Sequence, residues 1–170
     1  MFGRILVTTD GSPLGNLALL VAADLARKYN STLTLLYVVP LIVIPVGDVA
    51  YNFDYPAQHA SLLEEANQIL GDALKKLEFQ NTQVVRLECA DLKIEQAILA
   101  EVEGRHIGLV VMSTHGRSGL AHLFLGSIAE AVLREIKVPL LLIQAPDQMS
   151  KHPVSSQRPV HQEAGHKPVQ

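Results

Sequence analysis

RILVTTDGSPLGNLALLVAADLARKYNSTLTLLYVV, residues 4–39, decides the fold. Arg4 to Asp10 (RILVTTD) is a short apolar, β-branched run that turns polar at its end, the pattern of a buried strand. Gly11, Ser12 and Pro13 follow. Ser12 suits a helix N-cap, and Pro13 suits the first helical position, where a missing amide costs nothing. Leu14, Leu17, Ala18, Val21, Ala22 and Leu25 then recur at helical spacing, and Tyr29-Asn30 closes the helix. Ser31 to Val39 (STLTLLYVV) is a second, nearly continuous apolar strand. A strand, a helix and another strand of this kind make a βαβ unit, with a parallel sheet covered on both faces.

The same alternation continues. Leu62, Leu63, Ala66, Ile69, Leu70, Ala73, Leu74 and Leu77 predict a long amphipathic helix over 58–79. Val84 to Cys89 reads as a third strand, 92–103 as a shorter helix, and Ile107 to Ser113 as a fourth strand. Residues 127–136 predict a fourth helix and Val138 to Gln144 (VPLLLIQ) a fifth strand. The expected fold is α/β: a doubly wound five-stranded parallel sheet with helices on both faces and strand order 3-2-1-4-5. One domain over 1–145 accounts for it. Pro40 to Gln58 reads as a long connection, of the length that is usually functional or mobile. Residues 146–170 are polar, without periodicity, and read as a flexible tail. Its His152, His161 and His166 match no metal-ligand spacing.

Composition limits the function. The 170 residues are 48% hydrophobic and 18% charged, with a formal net charge of -3. A nucleic-acid or anionic-membrane surface needs a concentrated basic patch, so neither is expected as partner. A lone Cys89 rules out an intrachain disulfide and points to a reducing compartment. Its strand-end surroundings favour a buried, inert thiol. No signal-peptide layout and no run of membrane-spanning length is apparent, so a cytoplasmic location is expected.

The most informative loop is MSTHGRSGLAHLFLGSIAE, residues 112–130. In an open α/β sheet, ligands bind beyond the carboxyl ends of the strands, where strand order reverses. There Thr8, Thr9 and Asp10 of the first strand would face Met112 to Gly116 of the fourth. Gly126-Ser127 opens the fourth helix, whose unpaired amides and partial positive charge suit phosphate oxygens. Glycine allows close approach and positive φ, and Arg117 can add a charge-assisted contact. Structural roles compete for the same residues. Ser127 with Glu130 forms S-x-x-E, an ordinary capping box. Gly119 and Gly126 also suit plain turns, Asp10-Gly11-Ser12 a turn and cap, and His115 a solvated loop position.

Three pieces together resemble the universal stress protein family: ILVTTDGS, LLYVV, and MSTHGRSGLAHLFLGSIAE followed by VPLLLI. The resemblance spans residues 2–145. It implies a doubly wound fold, often dimeric, with one branch that holds ATP and another that does not. The family's nucleotide pattern is Gly, two residues, Gly, nine residues, Gly, then Ser or Thr. Carried across, its later glycines are Gly116 and Gly126 and its hydroxyl residue is Ser127. Backbone groups of Ile128 and Ala129 would join Ser127 around the phosphates of ATP, bound alone or with Mg2+. Asp10 matches the acidic residue near the ribose and phosphates, with Thr8 and Thr9 beside it. Val38 matches the backbone position that reads adenine, and Met112 would flank the base or ribose. Ser113 stands where the pattern's first glycine would be. In a left-handed conformation a serine there costs about 1–2 kcal/mol; with negative φ it costs nothing.

The resemblance implies an ATP-binding stress or signalling protein whose nucleotide state tunes its shape or partners; the residues themselves predict at most slow ATP hydrolysis, since no G-x-x-x-x-G-K-[ST] loop or general base is apparent. The alternative is a dimeric interaction module of the same fold without nucleotide. A phosphoacceptor receiver domain, suggested by Asp91, is disfavoured because Asp10 stands alone after the first strand and Gln144 ends the fifth. The apolar fifth strand (Val138 to Gln144) should be a sheet edge, and pairing with its twin in a homodimer would cover it.

Overall fold

The computed structural model describes residues 2–40, 55–89, 93–116 and 125–144. Five strands form one parallel sheet: β1 (Arg4–Thr8), β2 (Thr32–Pro40), β3 (Thr82–Cys89), β4 (Leu109–Ser113) and β5 (Leu140–Ile143), in the order β3-β2-β1-β4-β5. Between them run α1 (Pro13–Tyr29), α2 (Tyr55–Leu77), α3 (Ile94–Gly104) and α4 (Ser127–Glu135). The expected fold and strand order are both found.

Alternation along each strand divides the core in two. Ile5, Val7, Leu33, Leu35, Leu109 and Val111 face Ala18, Leu19 and Ala22 of α1 and Ala66 and Leu70 of α2. Leu6, Leu36, Val110 and Met112 face Ile98 and Val102 of α3 and Ala129 and Val132 of α4. Both faces of the central strands are therefore sealed, which is why their sequences are continuous apolar runs rather than alternating ones. Ala18, Ala22, Ala23 and Ala26 of α1 are buried in the layer that covers Ile5 and Val7 of β1.

Helix α1 begins and ends as its sequence dictates. The Ser12 hydroxyl accepts from the Gly15 amide at 3.0 Å, and Pro13 opens the helix. Asn30 is a left-handed C-cap (φ 50°) whose amide reaches the carbonyls of Ala26 and Arg27. Other boundaries shift. β1 stops at Thr8, because Thr9 and Asp10 turn their side chains to the backbone ahead of them. α2 starts at Tyr55, so Tyr55 to Gln58 belong to the helix and not to the connection. Pro56 sits in its first turn, where a proline is tolerated but no apolar repeat marks the helix. α3 and β5 are shorter than expected at their starts. Cys89 ends β3 buried, its thiol donating weakly to the Lys93 carbonyl at 3.9 Å. The connection 41–54, Asp91, Arg117, Gly119 and the tail 146–170 lie outside the described residues.

Candidate functional site

Strand order reverses between β1 and β4, and their carboxyl ends open a crevice there. On the β1 side a short turn is fixed by its own side chains. The Gly11 amide donates to Thr9 Oγ1 (3.1 Å) and the Ser12 amide to Asp10 Oδ1 (3.0 Å). Gly11 adopts φ 79°, which a glycine accepts without strain. The Asp10 carboxylate is thereby held between two glycines. A Cβ on Gly15 would stand 2.9 Å from its Oδ1, and a Cβ on Gly116 2.7 Å from its Oδ2.

On the β4 side the strand runs out through Ser113 and Thr114 to His115 and Gly116. Ser113 pairs with Ile143 of β5 as the last strand residue. The described non-glycine residues with positive φ are Asn30, Glu78 and His106, so Ser113 carries no left-handed strain. Thr114 is 2% exposed. Its amide and hydroxyl both donate to the Ile143 carbonyl, at 2.9 and 3.3 Å. Its hydroxyl oxygen also meets His115 Nδ1 at 3.0 Å.

The start of α4 completes the crevice. The Gly126 amide donates to the Thr114 carbonyl at 2.7 Å, and a Cβ on Gly126 would lie 2.9 Å from that oxygen. Gly126, with φ -71°, is the N-cap, and Ser127 is the first helical residue. The S-x-x-E capping box therefore does not form: the hydroxyl sits one position too late, and Glu130 instead pairs with Arg134. Ser127, Ile128 and Ala129 occupy the first turn, whose amides have no partner within a helix, and no side chain caps them. Neither Gly116 nor Gly126 has positive φ, so close approach, and not a left-handed turn, is what excludes a side chain at both.

The cavity so formed has a volume of about 320 Å³, within the range of small-molecule sites. Thr8, Thr9, Asp10, Val38, Met112, Ser113, His115, Gly116, Gly126, Ser127, Ile128 and Ala129 all line it. Arg117 lies outside the described residues. Thr114, within the Met112 to Gly116 stretch expected there, lines it too; the sequence reading missed Leu36, Tyr37, Ile94 and Ile98, which line it as well. Ile94 and Ile98 are visible in sequence only as an apolar i, i+4 pair, which reads as core. The walls are thus apolar at the β2 and α3 side and rich in amides and hydroxyls at the α4 side. Such a cavity can take a flat apolar group at one end and an anion at the other.

A wider groove of about 860 Å³ lies between α3 and the end of α4, lined by Leu99, Glu103, His106 and Lys137 among others. It gathers none of the residues above. Among the described residues no group of His, Cys, Asp and Glu could hold a metal ion, and no helix is long and apolar enough to cross a membrane.

The model of the Universal stress protein family matches residues 1–144. Universal stress protein MJ0531 of Methanocaldococcus jannaschii is 26% identical over 151 residues, covering 86% of this chain and 84% of that protein. Among solved structures, protein MJ0577 superposes with a TM-score of 0.70 at 20% identity, over 85% of this chain and 97% of that one. A universal stress protein from Archaeoglobus fulgidus in complex with dAMP gives 0.60 at 17% identity, over 84% of this chain and 99% of that one. These two structural likenesses establish the fold.

Proposed function

Because this chain belongs to the universal stress protein family, we propose that it is an ATP-binding member whose nucleotide state tunes its shape or partners in a stress response. The observation that carries this reading is convergence. Residues from three separated sequence pieces, Thr8 to Asp10, Val38, and Met112 to Ala129, meet at one cavity where strand order reverses. In this reading the adenine enters the apolar side, with the Val38 backbone reading its edge and Met112 flanking it. Asp10 receives the ribose hydroxyls, with Thr8 and Thr9 alongside. The first-turn amides of Ser127, Ile128 and Ala129 and the backbone at Gly116 hold the phosphates, helped by the partial positive charge of α4. Ser113 and His115 complete the phosphate side, with Mg2+ accompanying the ATP. The dAMP complex of the A. fulgidus relative supports an adenine nucleotide as the ligand class.

Two features of the site favour binding. The serine at position 113 adds no strain, since its backbone is extended. Ser127 has no capping duty to divert its hydroxyl. Turnover at this site would be slow at most, and the cytoplasm is its expected location. β5, an edge strand with four apolar residues, pairs with its twin in a homodimer.

The test is a calorimetric titration of nucleotide-stripped protein with ATP–magnesium, with GTP as control. Saturable micromolar binding of ATP but not GTP is expected. Absence of heat and of competition up to millimolar ATP would overturn the nucleotide reading and leave a dimeric interaction module as the function.

A further inference from the structure

Gly15 is buried in the first turn of α1, where a glycine weakens the helix relative to almost any other residue. Backbone freedom does not call for it: among the described glycines only Gly11 has a positive φ. Nor is its amide the reason, since any residue there except proline would donate to the Ser12 hydroxyl in the same way. What the position lacks is a Cβ. The three atoms nearest to one would all be side-chain oxygens: Asp10 Oδ1 at 2.9 Å, Ser12 Oγ at 3.3 Å and Thr9 Oγ1 at 3.5 Å. We propose that Gly15 is a positioning residue whose missing side chain keeps the Asp10 carboxylate in place for the nucleotide sugar. The proposal rests on the nucleotide reading above, in which Asp10 receives the ribose hydroxyls.

Of the three oxygens, the carboxylate is the one an alanine would displace. The two hydroxyls need to give by no more than a few tenths of an ångström, whereas Oδ1 stands closer than a methyl carbon tolerates. Oδ1 is also the atom that accepts the Ser12 amide at 3.0 Å, at the positive end of α1. Pushing it away therefore breaks the bond that orients the carboxylate. On the far side of the crevice, Oδ2 occupies the space that a Cβ on Gly116 would need. Two absent side chains, one from each side, thus leave room for one carboxylate. Asp10 lines the cavity and Gly15 does not, so position 15 acts on a ligand through Asp10. An alanine there takes the acceptor away from the sugar hydroxyls. The contacts to adenine and phosphates, made by β2, β4 and α4, stay as they are.

The test measures by calorimetry, with magnesium, the affinities of ATP and of an ATP analogue whose sugar lacks both hydroxyls. The unaltered protein is compared with Gly15→Ala, Asp10→Ala and the double variant. The unaltered protein should prefer ATP about tenfold, the worth of hydrogen bonding to a charged acceptor. G15A should bind the analogue as the unaltered protein does and lose the preference for ATP. D10A should lose the preference too, and adding G15A to D10A should change neither affinity. If G15A keeps the preference, even while weakening both ligands by the same factor, Gly15 is only a structural glycine and the proposal is overturned. Should G15A fail to fold, the double variant decides. Folded and with the affinities of D10A, it shows that the alanine does its harm through Asp10; unfolded, it overturns the proposal. A preference that survives in D10A refutes the sugar-binding role of Asp10, and the positioning role falls with it. Should neither ligand bind the unaltered protein, it is the nucleotide reading itself that has failed.

Discussion

Ser113 shows how a residue type can be legible while its conformation is not. The family pattern asks for glycine there, and a sequence cannot say whether that glycine serves a positive φ or a close approach. The structure places Ser113 as the last residue of β4, in register with Ile143, with no left-handed backbone. Nothing is relieved by removing its side chain. Ser113→Gly should therefore leave ATP affinity within about twofold and destabilise the fold by about 0.5–1 kcal/mol, the entropic cost of a glycine in a strand. Calorimetry and urea unfolding would read the two effects. A tenfold gain in affinity would show instead that the serine obstructs the ligand. Gly116 and Gly126 teach the same lesson from the other direction. Both were legible as loop glycines, but only the structure shows that Asp10 Oδ2 and the Thr114 carbonyl are what a side chain would strike. Thr114 was invisible as a hub because its partners, Ile143 and Gly126, are 29 and 12 residues away in the chain.

At the scale of elements, two serines with the same apparent task have different ones. Ser12 caps α1 through the Gly15 amide and is buried, as the S-P start of that helix announces. Ser127 looked like a cap on the strength of Glu130, yet Gly126 occupies the cap position and the box is out of phase by one residue. The helices themselves were readable from apolar spacing, whereas starts without an apolar repeat, such as Tyr55 of α2, were not. A paired substitution separates the roles. Ser12→Ala should lower stability by about 1 kcal/mol, the usual cost of losing an N-cap. Ser127→Ala, at an exposed first-turn position, should change stability by no more than about 0.5 kcal/mol while weakening ATP binding. Thermal unfolding and ATP titration of both variants decide it. Equal destabilisation by the two would mean that Ser127 serves the helix after all.

At the scale of the whole molecule, the five described strands leave two sheet edges, β3 and β5, and they are built differently. β3 carries Arg86 and Glu88, tied to each other and to Asn67 and His59 of α2, the charged furnishing that keeps an edge from pairing. β5 is Leu140 to Ile143 with no charge at all. Its side chains are not what it offers a partner. Leu141 and Ile143 pack against one half of the core, and Leu140 and Leu142 against the other. A lysine at 141 would damage the core as well as any interface. What remains open is backbone. The carbonyls of Pro139 and Ile143 face β4, accepting from Val110 and Thr114. The two-residue period of a strand then turns the amides of Leu140 and Leu142 outward. Leu142→Pro removes one outward donor and spares the β4 ladder, as prolines on edge strands do. Leu142→Ala removes the same side chain and keeps the amide. Sedimentation should show the parent and L142A as dimers and L142P as monomer. Should L142P remain a dimer, the two copies do not meet through β5. The apolar edge would then have to be covered from within the chain.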